Sequence, residues 1–177
     1  MSVIYGFDTP KDLLKKLHRD GYQTWIAENH QQKYDYFFNF CITAHAMRDW
    51  CIKHLNLSSV DKAAFHEELN QKTVLTYVRD IANASKHFSL DSSTSTVSGV
   101  EATQSQFAVL RSGVHSEHQE MSTKSDLVIK LSDGTSKILF EFLLHVMQEW
   151  IEVMKSKNIP YDETYLPEYM FIEFERN

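Results

Sequence analysis

The ten residues RDIANASKHF, 79 to 88, set Arg79, Asn83 and His87 at steps of four. These types have a chemistry in common. A histidine moves a proton near neutral pH, and an arginine holds a phosphate through two parallel hydrogen bonds. On a helix, Arg79 and His87 stand two turns apart, roughly 12 Å along the axis. The arginine stem closes much of that gap, so both can touch one phosphodiester. Asn83 lies between them and would orient the imidazole or the scissile group. Such a set could cleave RNA without a metal. His87 takes the 2′-hydroxyl proton or protonates the leaving oxygen. Arg79 or Lys86 stabilises the charge on the phosphate.

The same spacing has a plainer reading. With Val78 as the centre of a buried stripe, Arg79 falls at about 100°, Asn83 at about 140° and His87 at about 180°. They form a slanted ridge away from the core, flanked by Lys86 and Asp80. An amphipathic helix turns such a ridge to solvent with no further role.

The stretch HAMRDW, residues 45 to 50, carries a second set. His45 and Asp49 are four apart and share a face beside Phe38, Ile42 and Ile52. Arg48 falls near the other apolar stripe of the same helix. Buried polar groups need partners, and Arg79, Asp80, Asn83 and Lys86 are available. The set is then either a structural polar network or a second wall of the site around Arg79. His45 and Asp49 can also ligate one metal ion with a third residue, but no HExxH or paired ExxH motif accompanies them. Of the other histidines, His145 falls near an apolar stripe and is expected in the core. His115 and His118 are expected exposed in a polar loop, and His18, His30, His54 and His66 lie among charged residues.

An arginine, a short spacer with a polar residue, and then a histidine, RDIANASKH in a helical chain, resembles the HEPN superfamily. The resemblance implies a bundle of about four helices, often dimeric, and a metal-independent ribonuclease of a toxin or phage-defence system. The family carries four to six residues between arginine and histidine; here seven lie between Arg79 and His87, and Asp80 follows the arginine. The same stretch, with AHAMRDW upstream, also resembles a group of bacterial helical proteins of unassigned function.

The elements that must position these residues follow from periodicity. Helices are expected over about 10–30, 33–56, 59–71, 72–88 and 139–158. Thr9, Pro10 and Asp12 make the start of the first, and Gly21 either ends it or weakens it. The second is apolar on two sides, with Phe37, Phe40, Cys41, Ala44, Met47 and Cys51 on one and Phe38, Ile42 and Ala46 on the other, so it is expected at the centre of the fold. Val74, Val78, Ile81, Ser85 and Phe88 trace the core stripe of the fourth. A β insertion is expected over about 95–138, with SQFAVLR as one strand and a hairpin whose Asp133-Gly134 pair suits a type I′ turn. The aromatic tail, Tyr161 to Phe174, is expected to pack. The fold class is therefore mainly α: an up-and-down bundle of about four to five helices, with a small antiparallel β insertion before the last long helix, in a single domain over 1–177.

Composition narrows the function. The chain has 177 residues and a formal net charge of −6, which disfavours a generally basic surface that grips nucleic acid everywhere. Cys41 and Cys51 lie in one helix, too far apart to be joined, and reduced thiols point to the cytoplasm. No secretory leader and no membrane span are legible. Two readings remain. One is a HEPN-like ribonuclease acting on RNA through His87, Arg79 and Asn83, with Lys86, Asp80, His45 and Asp49 in support. The other is a non-catalytic helical module that binds a second copy of itself, as a homodimer, or another protein. The first expects Arg79 and His87 in a cleft holding few carboxylates.

Overall fold

A computed structural model describes residues 4–87, 95–109 and 120–172, and the side chains of 85–87, 107–109 and 120 are not among the described ones. It holds five helices and one three-stranded sheet among those residues. Helix α1, Pro10–Ile26, starts where Thr9 donates its N–H and its hydroxyl to Asp12 Oδ2, each at 2.9 Å. Leu13, Leu14 and Leu17 are buried along it. The helix passes through Gly21, because the tail lies there: a Cβ at Gly21 would stand 2.4 Å from Met170 Sδ and 3.2 Å from Phe40.

α1 stops at Ile26, short of the expected residue 30. Asn29 is the reason. Its side chain accepts the Gln32 N–H at 2.9 Å and opens α2, His30–His54. The last carbonyls of α1 find a buried donor: Lys33 Nζ gives hydrogen bonds to Thr24 O and Trp25 O, both at 2.9 Å. A lysine there satisfies orphan acceptors and complements the negative end of the helix.

α2 buries Phe37, Phe40, Cys41, Ala44, Met47 and Cys51. Its other apolar side is open, with Phe38 43% and Ile42 38% exposed. The helix is thus covered on one side only, against the expectation of a central helix. α3, Ser59–Asn70, begins at Ser58, which accepts the Asp61 N–H. α4, Thr73–His87, follows after a short turn.

The core stripe of α4 is rotated from the expected one. Leu75, Val78 and Ala82 are buried, whereas Val74 and Ile81 are only half-buried. From Val78, Leu75 falls at about 60° and Ala82 at about 40°, on the side of Arg79. The ridge residue therefore stands beside the core rather than away from it. Phe88 lies outside the described residues, and Ser85 is described for its backbone alone.

β1, Val97–Val109, pairs antiparallel with β2, Glu120–Leu131, and β2 with β3, Ser136–Ile138, in the order β1-β2-β3. β1 begins eight residues before the expected strand at Ser105. The root of the hairpin is anchored by buried Val97 of β1 and Leu127, Ile129 and Leu131 of β2, while Ala102 to Gln106 alternate exposed and half-buried. The turn to β3 carries a positive φ at Gly134 alone, +86°. A type I′ turn needs both central residues there, so the connection is the longer one with glycine after the turn. Gly134 N–H donates to Leu131 O at 3.1 Å and Asp133 Oδ1 accepts from Thr135.

α5, Leu139–Ser156, buries Leu139, Leu143, Val146, Trp150 and Val153 as periodicity predicts. α1, α2, α4 and α5 pack around one core, α3 lies against α4, and the sheet rests on α2 and α5. This is a helical bundle with its β insertion before the last long helix. A 3-10 helix, Pro167–Phe171, seats the tail on α1, with Met170 fully buried and Phe171 edge-on to Trp25. Tyr169 stays half exposed, and Phe174 lies outside the described residues.

Candidate functional site

Four helices converge on a cleft that carries Arg79. Its inner wall is apolar: Ala44 from α2, Leu69 from α3, Leu75 and Val78 from α4, and Trp150 from α5. Its polar rim is His45 and Arg48 from α2, His66 and Asn70 from α3, and Arg79. About 30 Å³ of free space lies among them, and no carboxylate is part of the lining.

Each polar group arrives there for a local reason. His45 and Arg48 are three apart, and His66 and Asn70 four apart, so each pair shares a helix face. Phe65 and Leu69 are buried beneath α3, which turns the neighbouring His66 and Asn70 to the rim. Arg79, 34% exposed, donates from Nη1 to Asn70 Oδ1 at 3.0 Å. Its Nε and Nη2 both reach Asp80 Oδ1, at 3.1 and 3.0 Å. Arg48 gives its Nε to Asp49 Oδ1 at 3.1 Å. Its two terminal nitrogens make no hydrogen bond among the described residues, and neither does His66. The two aspartates orient the guanidiniums from outside the cleft.

The buried wall holds one donor without an acceptor. Trp150 is 2% exposed, and its Nε1–H makes no hydrogen bond among the described residues. Buried donors of folded proteins are nearly always satisfied.

The residues singled out by sequence separate on this geometry. Arg79 and His45 meet in the cleft. Asn83 stands one turn further along α4, outside the lining. Asp49 is largely exposed and serves Arg48. Asp80 was expected to flank a solvated ridge, yet it is 5% exposed, because the root of the hairpin covers that side of α4. Its Oδ2 accepts the N–H and the hydroxyl of Thr96, so it ties helix to sheet. His87 ends α4, and its side chain and that of Lys86 lie outside the described residues. His115 and His118 lie outside them too.

Arg48 was read with the HAMRDW set as a second wall; His66, Asn70 and Trp150 are additions that the sequence reading did not assemble. The signal was present: polar residues paired at three or four on the flank of a core stripe, on two successive helices. Other histidines serve the fold. His30 Nε2 lies 2.9 Å from Thr103 O and latches β1 to α2, and His18 Nε2 lies 3.3 Å from Leu166 O. His145, expected in the core, is exposed instead. It borders a wider groove of about 750 Å³ between α4, α5 and β3. There carboxylates match the cations: Lys72 Nζ meets Glu149 at 2.5 Å.

The thiols of Cys41 and Cys51 are buried and free. Burial pushes Cys41 well up and Cys51 to about 12, so neither supplies a nucleophile at neutral pH. Among the described residues no three of His, Cys, Asp and Glu lie close enough to hold a metal ion. Among the same residues no helix is long and apolar enough to cross a membrane. No protein-family model, no curated protein and no solved structure matches this chain.

Proposed function

We propose that the protein is a metal-independent ribonuclease of the HEPN-like kind, acting in the cleft between α2, α3, α4 and α5. The observation that carries this reading is the lining: two arginines and two histidines with no carboxylate among them. A phosphodiester is repelled by carboxylates and held by guanidiniums. One imidazole of the pair His45 and His66 takes the proton of the 2′-hydroxyl. The 2′-oxygen attacks phosphorus, and the bond from phosphorus to the 5′-oxygen breaks. The other imidazole, entering protonated, gives its proton to that oxygen. The products are a 2′,3′-cyclic phosphate and a 5′-hydroxyl. Arg79 and Arg48 meet the charge that builds on the non-bridging oxygens.

The test is cleavage of a mixed RNA pool in EDTA by the parent and by His45→Ala, His66→Ala and His87→Ala. The reading expects cleavage by the parent and a loss of roughly 100-fold or more in the first two. Loss in His87→Ala with retention in His66→Ala moves the proton transfer to the end of α4. Equal cleavage by all four, or none by the parent, overturns the ribonuclease.

One observation favours a second reading, a self-associating module. Phe38 and Ile42, four apart on α2, present an apolar pair to solvent. A homodimer through this face predicts that Phe38→Ser with Ile42→Ser sediments as a monomer where the parent sediments as a dimer.

A further inference from the structure

Several side chains of the cleft have N–H groups left to give. Arg48 offers the N–H groups of both terminal nitrogens. Arg79 gives one hydrogen of Nη1 to Asn70 and one each of Nε and Nη2 to Asp80, which leaves a second hydrogen on each terminal nitrogen. Asn70 spends its Oδ1 on that bond, which leaves its amide nitrogen as a donor. Trp150 adds an indole N–H, which donates and never accepts. A water accepts from two of these donors at most and brings two hydrogens of its own. The non-bridging oxygens of a phosphodiester have no hydrogens to place, those of free phosphate near neutral pH have one or two among four oxygens, and both accept from several donors at once.

We infer that the inner end of the cleft is a receptor for one tetrahedral oxyanion, a phosphate group, seated by the indole N–H of Trp150 with Arg48 and Arg79 at the rim. This deepens the ribonuclease reading by naming the group that seats the phosphate, and it stands on binding rather than on cleavage. The free space of about 30 Å³ suits an oxygen entering the inner wall. It does not suit a nucleoside, so the base and sugar remain outside the rim. Trp150 is therefore a positioning donor for phosphate and plays no part in reading bases.

The experiment is a titration of the uniformly 15N-labelled protein with inorganic phosphate at constant ionic strength, beside a chloride titration. Three indole N–H signals are present, from Trp25, Trp50 and Trp150, and Trp25→Phe and Trp50→Phe assign them by elimination. The expected result is a saturable downfield movement of the Trp150 indole proton with phosphate and none with chloride. Arg48→Gln should weaken the binding about fivefold or more. A 2′-O-methyl oligonucleotide, which cannot form the cyclic product, should move the same signal, and it separates an RNA phosphate from the free ion as ligand. If only free phosphate moves it, the receptor stands and the nucleic-acid source is wrong. A Trp150 signal that stays still at saturating phosphate, or that follows chloride equally, overturns the receptor, whether or not RNA is cut. A signal that responds in a protein that cuts no RNA keeps the receptor and removes the ribonuclease. Trp150→Phe keeps the ring's bulk without the donor and should lose phosphate affinity. If that variant does not fold, the titration of the parent decides alone.

Discussion

Asp80 Oδ2 accepts both the backbone N–H and the hydroxyl of Thr96, each at 2.7 Å. The other carboxylate oxygen holds Arg79. One buried side chain thus fixes the start of β1 and the aim of the cleft arginine together.

Removing that carboxylate should be costly. Asp80→Ala leaves the Arg79 guanidinium without its partner and strands the Thr96 donors, so a loss of about 2–4 kcal/mol is expected. Thr96→Val removes one hydroxyl bond and should cost about 1 kcal/mol. Urea denaturation compares the two. Equal losses would mean that Asp80 contributes no more than the hydroxyl bond.

Gly21 and Met170 give a second test. Alanine in a helix interior ordinarily stabilises relative to glycine by about 1 kcal/mol. Here a Cβ would collide with the Met170 sulfur, so Gly21→Ala should destabilise by about 1–3 kcal/mol. Combined with Met170→Ala, the losses should sum to less than the two singles. Additive losses would place the tail elsewhere.

The buried lysine predicts a pH dependence. Burial brings Lys33 down to about 8, opposed by Asp126, and burial together with Lys33 brings Lys124 to about 8. Between about 8 and the ordinary lysine value of 10.5, the unfolded chain then binds more protons than the fold, and stability rises with pH. The thiols work in the opposite direction. Their raised values mean that above 9.0 the unfolded chain sheds protons that the fold keeps. Stability should rise from pH 8 to pH 9 and level off above. Lys33→Met should remove more than half of the rise, since it also relieves Lys124. Urea midpoints at pH 7.5, 8.5 and 9.5 check this; a midpoint that falls from 7.5 to 8.5 contradicts it.

The thiols themselves should be silent in the native protein. Cys41 and Cys51 are expected to resist a disulfide reagent at pH 8 and to react fully in guanidinium chloride. Rapid reaction of either in the native state would show an opening of α2.

The helices were legible because their apolar residues recur at helical steps, and the insertion because its turn residues interrupt that period. What escaped was decided by tertiary contact. Nothing in the sequence marks Lys33 as buried; the end of α1 placed over it does. Asp80 reads as solvated until the hairpin root is laid against α4. Arg79 was legible as chemistry, but the cleft around it is completed by residues of α2 and α5 that stand far from it in sequence. His66 and Trp150 carry no motif of their own, so only the packing of four helices makes them neighbours.

The central claim is tested most directly by the chemical ends of RNA fragments made in EDTA, read by mass spectrometry. The account predicts 2′,3′-cyclic phosphate and 5′-hydroxyl ends from the parent, and no such fragments when His45→Ala and His66→Ala are combined. Fragments with 5′-phosphate ends, or the same cyclic ends from the double variant, would contradict it.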